Sequence, residues 1–310
     1  MKTLDIIVPC YNEAECVEAF YHGVEEALRD VEVEWSIIYV NDGSKDDTLP
    51  AVKALADSAG EARVKYLSFS RNFGKEAAIY AGLSHAQGDY TVLMDADLQH
   101  PPALLPQMLA AMEEGYDCCG ARRVTRQGEP KLRSALSRLF YKLINRVTEM
   151  QLVQGGSDFR MMSREVVQAV VSLQEHERFT KGILSWVGFR TKWIDYENVE
   201  RVAGTTKWSF GGLVRYAVSG FFAFATAPLR LAVWIGILTA AISAVCAVVV
   251  FIGALFESGP RTGYATIVLL IMFFGGLIVF LLGVIGEYLA RIYTEVKKRP
   301  LFIVNDTNIA

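Results

Sequence analysis

Residues 1–44 read MKTLDIIVPC YNEAECVEAF YHGVEEALRD VEVEWSIIYV NDGS. Leu4–Pro9 is a short apolar run, Ala14–Arg29 carries apolar residues at helical spacing, and Ser36–Asn41 is a second apolar run closed by turn residues. Two buried-type strands joined by a helix form a β-α-β unit, and such a crossover makes its strands parallel. The alternation continues to about Gly120. VKYLSF (64–69), YTVLMD (90–95) and YDCCGA (116–121) read as further strands, with helices over Asp46–Ser58, Lys75–Ala86 and Pro102–Glu114. The last of these has Pro near its start, where the first helical position favours it. The expected fold class is α/β, with a mostly parallel sheet of the nucleotide-binding type.

Outward from this core the character of the chain changes twice. Residues 122–147, RRVTRQGEPKLRSALSRLFYKLINRV, are basic, with a turn at Gly128–Pro130 and then a helix. A Gly-Gly-Ser-Asp stretch, a helix near 163–174 and a strand near 189–199 follow. In 207–228 an apolar stripe of Phe210, Leu213, Val214, Ala217, Val218 and Phe221 suits a helix lying in a membrane interface, although a helix packed on a soluble core gives the same pattern. Leu231–Phe256 and Thr262–Gly286 lack Asp, Glu, Lys and Arg, and each is long enough to cross a hydrocarbon layer of ~30 Å. ESGPR (257–261) separates them, so they are expected to form a transmembrane hairpin. Arg215 and Arg230 precede it and Arg291, Lys297, Lys298 and Arg299 follow it, which places both outer ends in the cytoplasm. The expected organisation is an enzyme domain over 1–206, an interfacial region over 207–228, a hairpin over 229–290 and a cytoplasmic C-terminal tail over 291–310.

Composition narrows the classes of partner. A formal charge of −3 over 310 residues gives no general affinity for polyanions, which argues against nucleic acid. The cysteines are Cys10, Cys16, Cys118, Cys119 and Cys246; their odd number and the lack of a C-x-x-C spacing indicate neither a disulfide framework nor a zinc site, and fit a reducing cytosol. The apolar stretch in MKTLDIIVPCYNE is too short for a secretion signal, so the first domain is expected to stay where it is made.

The sharpest chemical feature is Asp95-Ala96-Asp97, at the expected end of the fourth strand and followed by Leu98-Gln99-His100-Pro101. Alternate carboxylates on a sheet rim can approach one hard cation, Mg²⁺ or Mn²⁺, which completes its shell with nucleotide diphosphate oxygens. A solvated turn or a helix cap uses the same residues. Pro9-Cys10-Tyr11-Asn12-Glu13 and Asn41-Asp42-Gly43-Ser44 follow the first two strands and meet the same rim, where open α/β sheets bind ligands. Asp42 can accept from a base N–H or ribose hydroxyls and Tyr11 can stack on a base; a cap or a plain turn around Gly43 is the alternative. His100 adjoins the aspartates either as a ligand or as a polar loop residue.

PCYNE, NDGS, DADLQHP and GGSDFR together resemble the inverting family-2 glycosyltransferases of GT-A fold, a Rossmann-like architecture. With the hairpin and the R-x-x-G-x-T-K-W stretch at Arg201–Trp208, the chain resembles polyprenyl-phosphate glycosyltransferases, among them bactoprenol glucosyltransferases and dolichol-phosphate mannose synthases. The resemblance implies that Pro9, Tyr11, Glu13 and Asp42 hold the uridine end of a UDP-sugar. It implies that Asp95 and Asp97, with Gln99 as third ligand, hold Mg²⁺ or Mn²⁺ and through it the diphosphate. Arg122, Arg133, Ser137, Arg201 and Lys207 match phosphate-handling positions, and Asp158 matches the catalytic carboxylate, acting as a base or orienting a substrate. Arg71-Asn72-Phe73-Gly74-Lys75 matches a family loop after the third strand. The implied reaction moves glucose or N-acetylglucosamine to undecaprenyl phosphate at the inner membrane, and the implied assembly is a homotetramer. A processive polysaccharide synthase would add a Q-x-x-R-W motif and more spans. A non-catalytic nucleotide-sugar scaffold would not need both aspartates.

Overall fold

The computed structural model describes residues 1–124, 142, 145–146, 152–197, 227–256 and 263–309. Two compact units divide the chain: Met1–Ala223 with Pro300–Ala310, and Phe224–Arg299.

The first unit is an α/β domain. Its strands are β1 (Lys2–Cys10), β2 (Val33–Asn41), β3 (Val64–Phe69), β4 (Tyr90–Leu93), β5 (Cys118–Arg123), β6 (Gly156–Ser163), β7 (Thr191–Tyr196) and β8 (Val304–Thr307). They form one sheet in the order β7-β5-β6-β4-β1-β2-β3-β8. β4, β1, β2 and β3 run parallel, β6 is antiparallel to both β4 and β5, β7 is parallel to β5, and β8 closes the far edge antiparallel to β3. The helices of this unit are α1 (Val17–Ala27), α2 (Thr48–Ala59), α3 (Lys75–His85), α4 (Leu105–Glu113), α5 (Arg164–Ser172) and α6 (Thr180–Trp186).

The central strands are apolar on both faces because helices cover both. Leu4, Ile6, Ile7 and Val8 of β1 and Ile37, Ile38, Tyr39 and Val40 of β2 are all fully buried, and each such aliphatic side chain contributes roughly 1.5–3 kcal/mol. α3 rests close on this layer at Gly82, where a Cβ would stand 2.2 Å from Ile7 Cγ2. Any larger residue would push the helix off the sheet. From β1 the chain steps outward through β2 to β3, then returns to β4 on the other side of β1. That reversal opens a crevice above the C-terminal ends of β1 and β4, the place where ligands of such sheets bind.

The expected β1–β3 and α2–α4 positions agree with the structure to within a few residues, and a helix and a strand do occupy 164–172 and 191–196. β4 stops at Leu93, two residues before Asp95, so both aspartates sit on the loop beyond the strand. β6, α6 and β8 add to the elements read from sequence. Within the anticipated tail 291–310, the last helix continues to Val296 and Val304–Thr307 becomes β8.

The second unit contains α7 (Ala227–Phe256) and α8 (Tyr264–Val296). Among the described residues one helical stretch, Leu270–Val296, is long and apolar enough to cross a membrane. Its apolar side chains are bare: Ile271 is 67% exposed, Val279 70% and Phe273 64%. Water would penalise such a surface heavily. The interfacial stripe at 210–221 lies outside the described residues, as does the basic helix anticipated after Gly128 apart from Lys142, Asn145 and Arg146, which are helical.

Candidate active site

Three loops meet at the crevice, held by side-chain to backbone hydrogen bonds. After β1, Asn12 adopts φ 55° and donates its N–H to Ser44 Oγ (2.9 Å), while its own side-chain oxygen accepts from Lys45 N–H (2.8 Å). Glu13 N–H donates to Thr48 Oγ1 (2.9 Å). These contacts staple the Tyr11–Glu13 loop to the Asp42–Ser44 loop. Asn and Asp are suited to such work because their short side chains reach neighbouring backbone groups.

Asp42 is 3% exposed and accepts from Phe73 N–H (2.6 Å) and Gly74 N–H (2.9 Å). Burial raises its pKa, and the two N–H donors with Arg71 only partly offset that. Asp42 therefore ties the loop after β2 to the loop after β3, a duty the sequence did not reveal. Gly43 between them has φ +63°, and a Cβ there would lie 2.4 Å from the Arg71 carbonyl carbon. No side chain fits at that crossing.

Beyond β4, Asp97 Oδ1 accepts from Gln99 N–H (3.2 Å), bending the chain back on itself. Leu98 takes φ 56°, an unusual conformation for a bulky residue, and its side chain packs on the core near α1. That anchor sets the turn carrying Asp95, Asp97 and Gln99, which are all half-buried. His100 is buried, stacked on Phe159 at 5.3 Å and edge-on to Tyr196 at 6.3 Å. Burial lowers its pKa, so the ring is neutral and works as a pillar under the aspartate loop.

Lys75, the first residue of α3, joins the two halves of the crevice. Its Nζ lies 2.6 Å from Asp95 Oδ1 and 3.0 Å from Asp158 Oδ2. Lys181 Nζ, at the start of α6, lies 3.7 Å from Asp158 Oδ1 and donates to Gly156 O (3.2 Å). α6 is docked there because Glu76 Oε2 accepts from Thr180 N–H (2.9 Å) and from the Thr180 hydroxyl. Burial would raise the Asp158 pKa, but Lys181 and Lys75 outweigh it and hold the carboxyl far below the usual range. Asp95 is lowered for the same reason, chiefly by Lys75 against its own burial. The Lys75 ammonium is held well above its ordinary value by the two carboxylates. Both aspartates are ionised at neutral pH.

The structure thus brings together Asp95, Asp97, Gln99 and Asp158, and beside them the loops bearing Pro9, Tyr11, Glu13 and Asp42. Arg122 makes a forked pair with Asp195, Nε to Oδ1 at 2.6 Å and Nη2 to Oδ2 at 2.9 Å, on the neighbouring strand of the sheet. Arg133, Ser137, Arg201 and Lys207 lie outside the described residues. Lys75 and Lys181 emerge from the fold. The signal for Lys75 was a cation in the first turn of a helix, where the dipole costs a positive charge ~0.3–1 kcal/mol unless a carboxylate answers it. Lys181 has the same setting at the start of α6, a helix not read from the sequence.

Among the described residues no group of three His, Cys, Asp or Glu side chains could hold a metal ion. Two half-buried carboxylates fit a hard cation such as Mg²⁺ or Mn²⁺, which draws its other oxygens from phosphates and water.

Comparison with known proteins bears on this geometry. Residues 5–171 match the family described as Glycosyl transferase family 2, and residues 227–292 match the GtrB C-terminal hairpin. The chain is 44% identical over 306 residues to a protein of Bacillus subtilis (strain 168) named as a glycosyltransferase, CsbB, covering 99% of this chain and 92% of that one. It is 40% identical over 307 residues to the SfII prophage-derived bactoprenol glucosyl transferase of Shigella flexneri, covering 98% of each. Among solved structures it is similar to glucosyl-3-phosphoglycerate synthase from Mycobacterium tuberculosis in complex with Mn²⁺, UDP-glucose and phosphoglyceric acid. That likeness is 20% identity at a TM-score of 0.47, over 70% of this chain and 76% of the other.

Proposed function

The chain belongs to glycosyl transferase family 2, with its GT-A fold, and from that premise we propose that it transfers one sugar from a UDP-sugar to undecaprenyl phosphate at the cytoplasmic face of the inner membrane. Glucose or N-acetylglucosamine is the sugar, inversion at the anomeric carbon the stereochemical course, and UDP the product released. The observation that carries this reading is that Lys75 draws Asp158 to Asp95, on the turn that also bears Asp97, at the crevice above β1 and β4. Family resemblance supports the acceptor class, since relatives that match over the full length are bactoprenol glucosyl transferases by name.

Asp95, Asp97 and Gln99 would hold Mg²⁺ or Mn²⁺, which supplies positive charge to the leaving diphosphate. Pro9, Tyr11, Glu13 and Asp42 shape the uridine end of the crevice, Asp42 partly by holding the 71–74 loop in place. An oxygen of the acceptor phosphate attacks the anomeric carbon from the face opposite UDP; the new carbon–oxygen bond forms as the bond to the diphosphate breaks. Asp158, with its pKa held so low by two lysines, is a weak proton acceptor. A phosphate acceptor with a second pKa near ~6 needs little deprotonation at pH 7. Asp158 therefore serves to orient, and most acceleration comes from positioning and charge. Arg133, Ser137, Arg201 and Lys207 serve the acceptor phosphate, to which guanidinium groups bind bidentately; Arg122 joins them only by giving up its forked pair with Asp195.

A two-span anchor is supported by connectivity. The chain leaves the α/β unit before Phe224 and rejoins its sheet as β8 after Pro300. Residues that end in the same sheet lie on the same side of a membrane, so the number of crossings between them is even. Leu270–Val296 can cross, and α7 supplies the second crossing, in accord with the hairpin match over 227–292.

The test is to offer the purified full-length protein undecaprenyl phosphate with a panel of labelled UDP- and GDP-sugars. Label is expected in the lipid extract with UDP-glucose or UDP-N-acetylglucosamine, and none with Asp97→Ala, which should remain folded. Lipid labelling from a GDP-sugar alone would refute the donor assignment, and undiminished transfer by Asp97→Ala the metal assignment.

A further inference from the structure

Lys75 touches carboxylates on both sides of the crevice, at 2.6 Å from Asp95 and 3.0 Å from Asp158. All three side chains are partly withdrawn from water, between 22% and 35% exposed, so their mutual attraction is less screened than on an open surface. The ammonium sits at the positive end of α3, and Asp95 and Asp158 answer the charge there. Asp95 is also a proposed ligand of the divalent cation. An ammonium and a metal ion that share one carboxylate oxygen stand within about 5 Å of each other, given metal–oxygen distances of about 2.1 Å. In a half-buried site that repulsion is costly.

We propose that Lys75 is an internal rival of the divalent cation at Asp95, so that metal and nucleoside diphosphate bind as a coupled pair rather than independently. The inference rests on the metal and nucleotide reading of this site. Without nucleotide, Lys75 neutralises Asp95 and keeps its affinity for metal low. With nucleotide, the diphosphate offers Lys75 a second source of negative charge, and the lysine yields Asp95 while keeping its contact with Asp158. Lys75 is thus a positioning residue that ties metal occupancy to the presence of donor.

Manganese binding reads this out without any turnover. Mn²⁺ is titrated into the full-length protein in detergent, with free Mn²⁺ followed by electron paramagnetic resonance, in the absence and presence of saturating UDP. Lys75→Met should tighten Mn²⁺ binding to the nucleotide-free protein by about fivefold or more, a usual size for coupling between sites, and should shrink the gain conferred by UDP to match. Lys75→Arg keeps the charge and should follow the wild type. Lys181→Met removes a charge beside Asp158 without uncovering Asp95, and should change Mn²⁺ affinity far less. Lys75→Gln is read in the same way should methionine disturb folding. The proposal fails if the neutral variants bind UDP yet hold Mn²⁺ no more tightly than the wild type. It fails equally if Lys181→Met tightens Mn²⁺ as much as Lys75→Met, since net charge then explains the effect. If the wild type binds no UDP with or without Mn²⁺, the nucleotide reading itself falls and takes this inference with it.

Discussion

Asp42 shows how a residue legible as a ligand can carry a structural duty as well. Both of its oxygens accept backbone N–H groups of the Phe73–Gly74 turn, and a buried donor stripped of its partner costs about 1–3 kcal/mol. Asp42→Ala should therefore lose about 2 kcal/mol. At about 2–4 °C per kcal/mol for a domain of this size, that is a fall of about 4–8 °C in Tm. UDP affinity should fall as well, because the turn leads into Lys75. Asp42→Asn retains one acceptor oxygen and should lie between. A variant with unchanged thermal stability would show that those two hydrogen bonds are dispensable. The same residue explains the demand for glycine beside it, since Gly43 passes too close to the Arg71 carbonyl for any side chain.

Among the elements, β8 stands out because it comes from the far end of the chain yet completes the sheet that bears the site. Asn308 brackets β3 with its amide, accepting from Tyr66 N–H (2.7 Å) and donating to Val64 O (3.1 Å). Lys53 pairs with Asp306, and Phe302 stacks on Phe69 at 5.0 Å. Phe69 in turn meets Phe73 edge-on at 5.8 Å, and Ser70 N–H donates to Ile303 O (3.0 Å). A covered edge also protects β3 from pairing with other chains. The segment after α8 therefore buttresses the loop that presents Gly74 and Lys75. Phe302→Ala should weaken UDP binding severalfold while the protein stays folded; isothermal titration against UDP checks this, and unaltered affinity would confine β8 to edge protection.

For the whole molecule the consequence of β8 is topological. A fluorescent protein fused after the C-terminus should fluoresce, since that end shares a compartment with the sheet, whereas alkaline phosphatase fused after residue 260 should be active on the outer side. An active phosphatase after residue 260 together with a dark fluorescent protein at the C-terminus would contradict an even number of crossings.

Most of the α/β core was written in local pattern, because strands buried on both faces must be continuously apolar and the helices between them amphipathic. The aspartate pair and the two rim loops were likewise visible, as short polar motifs at the ends of those runs. β6 escaped because GGSDFRMMS mixes Gly, Asp and Arg into a strand whose Asp158 is answered by distant partners, Lys75 and Lys181. β8 escaped because VNDT has no strand pattern of its own; it pairs only because β3 offers it an edge. The meeting of Asp95, Lys75 and Asp158 was beyond local pattern altogether, since charge pairs form between groups that the sheet order brings together, and sequence spacing carries no record of that distance.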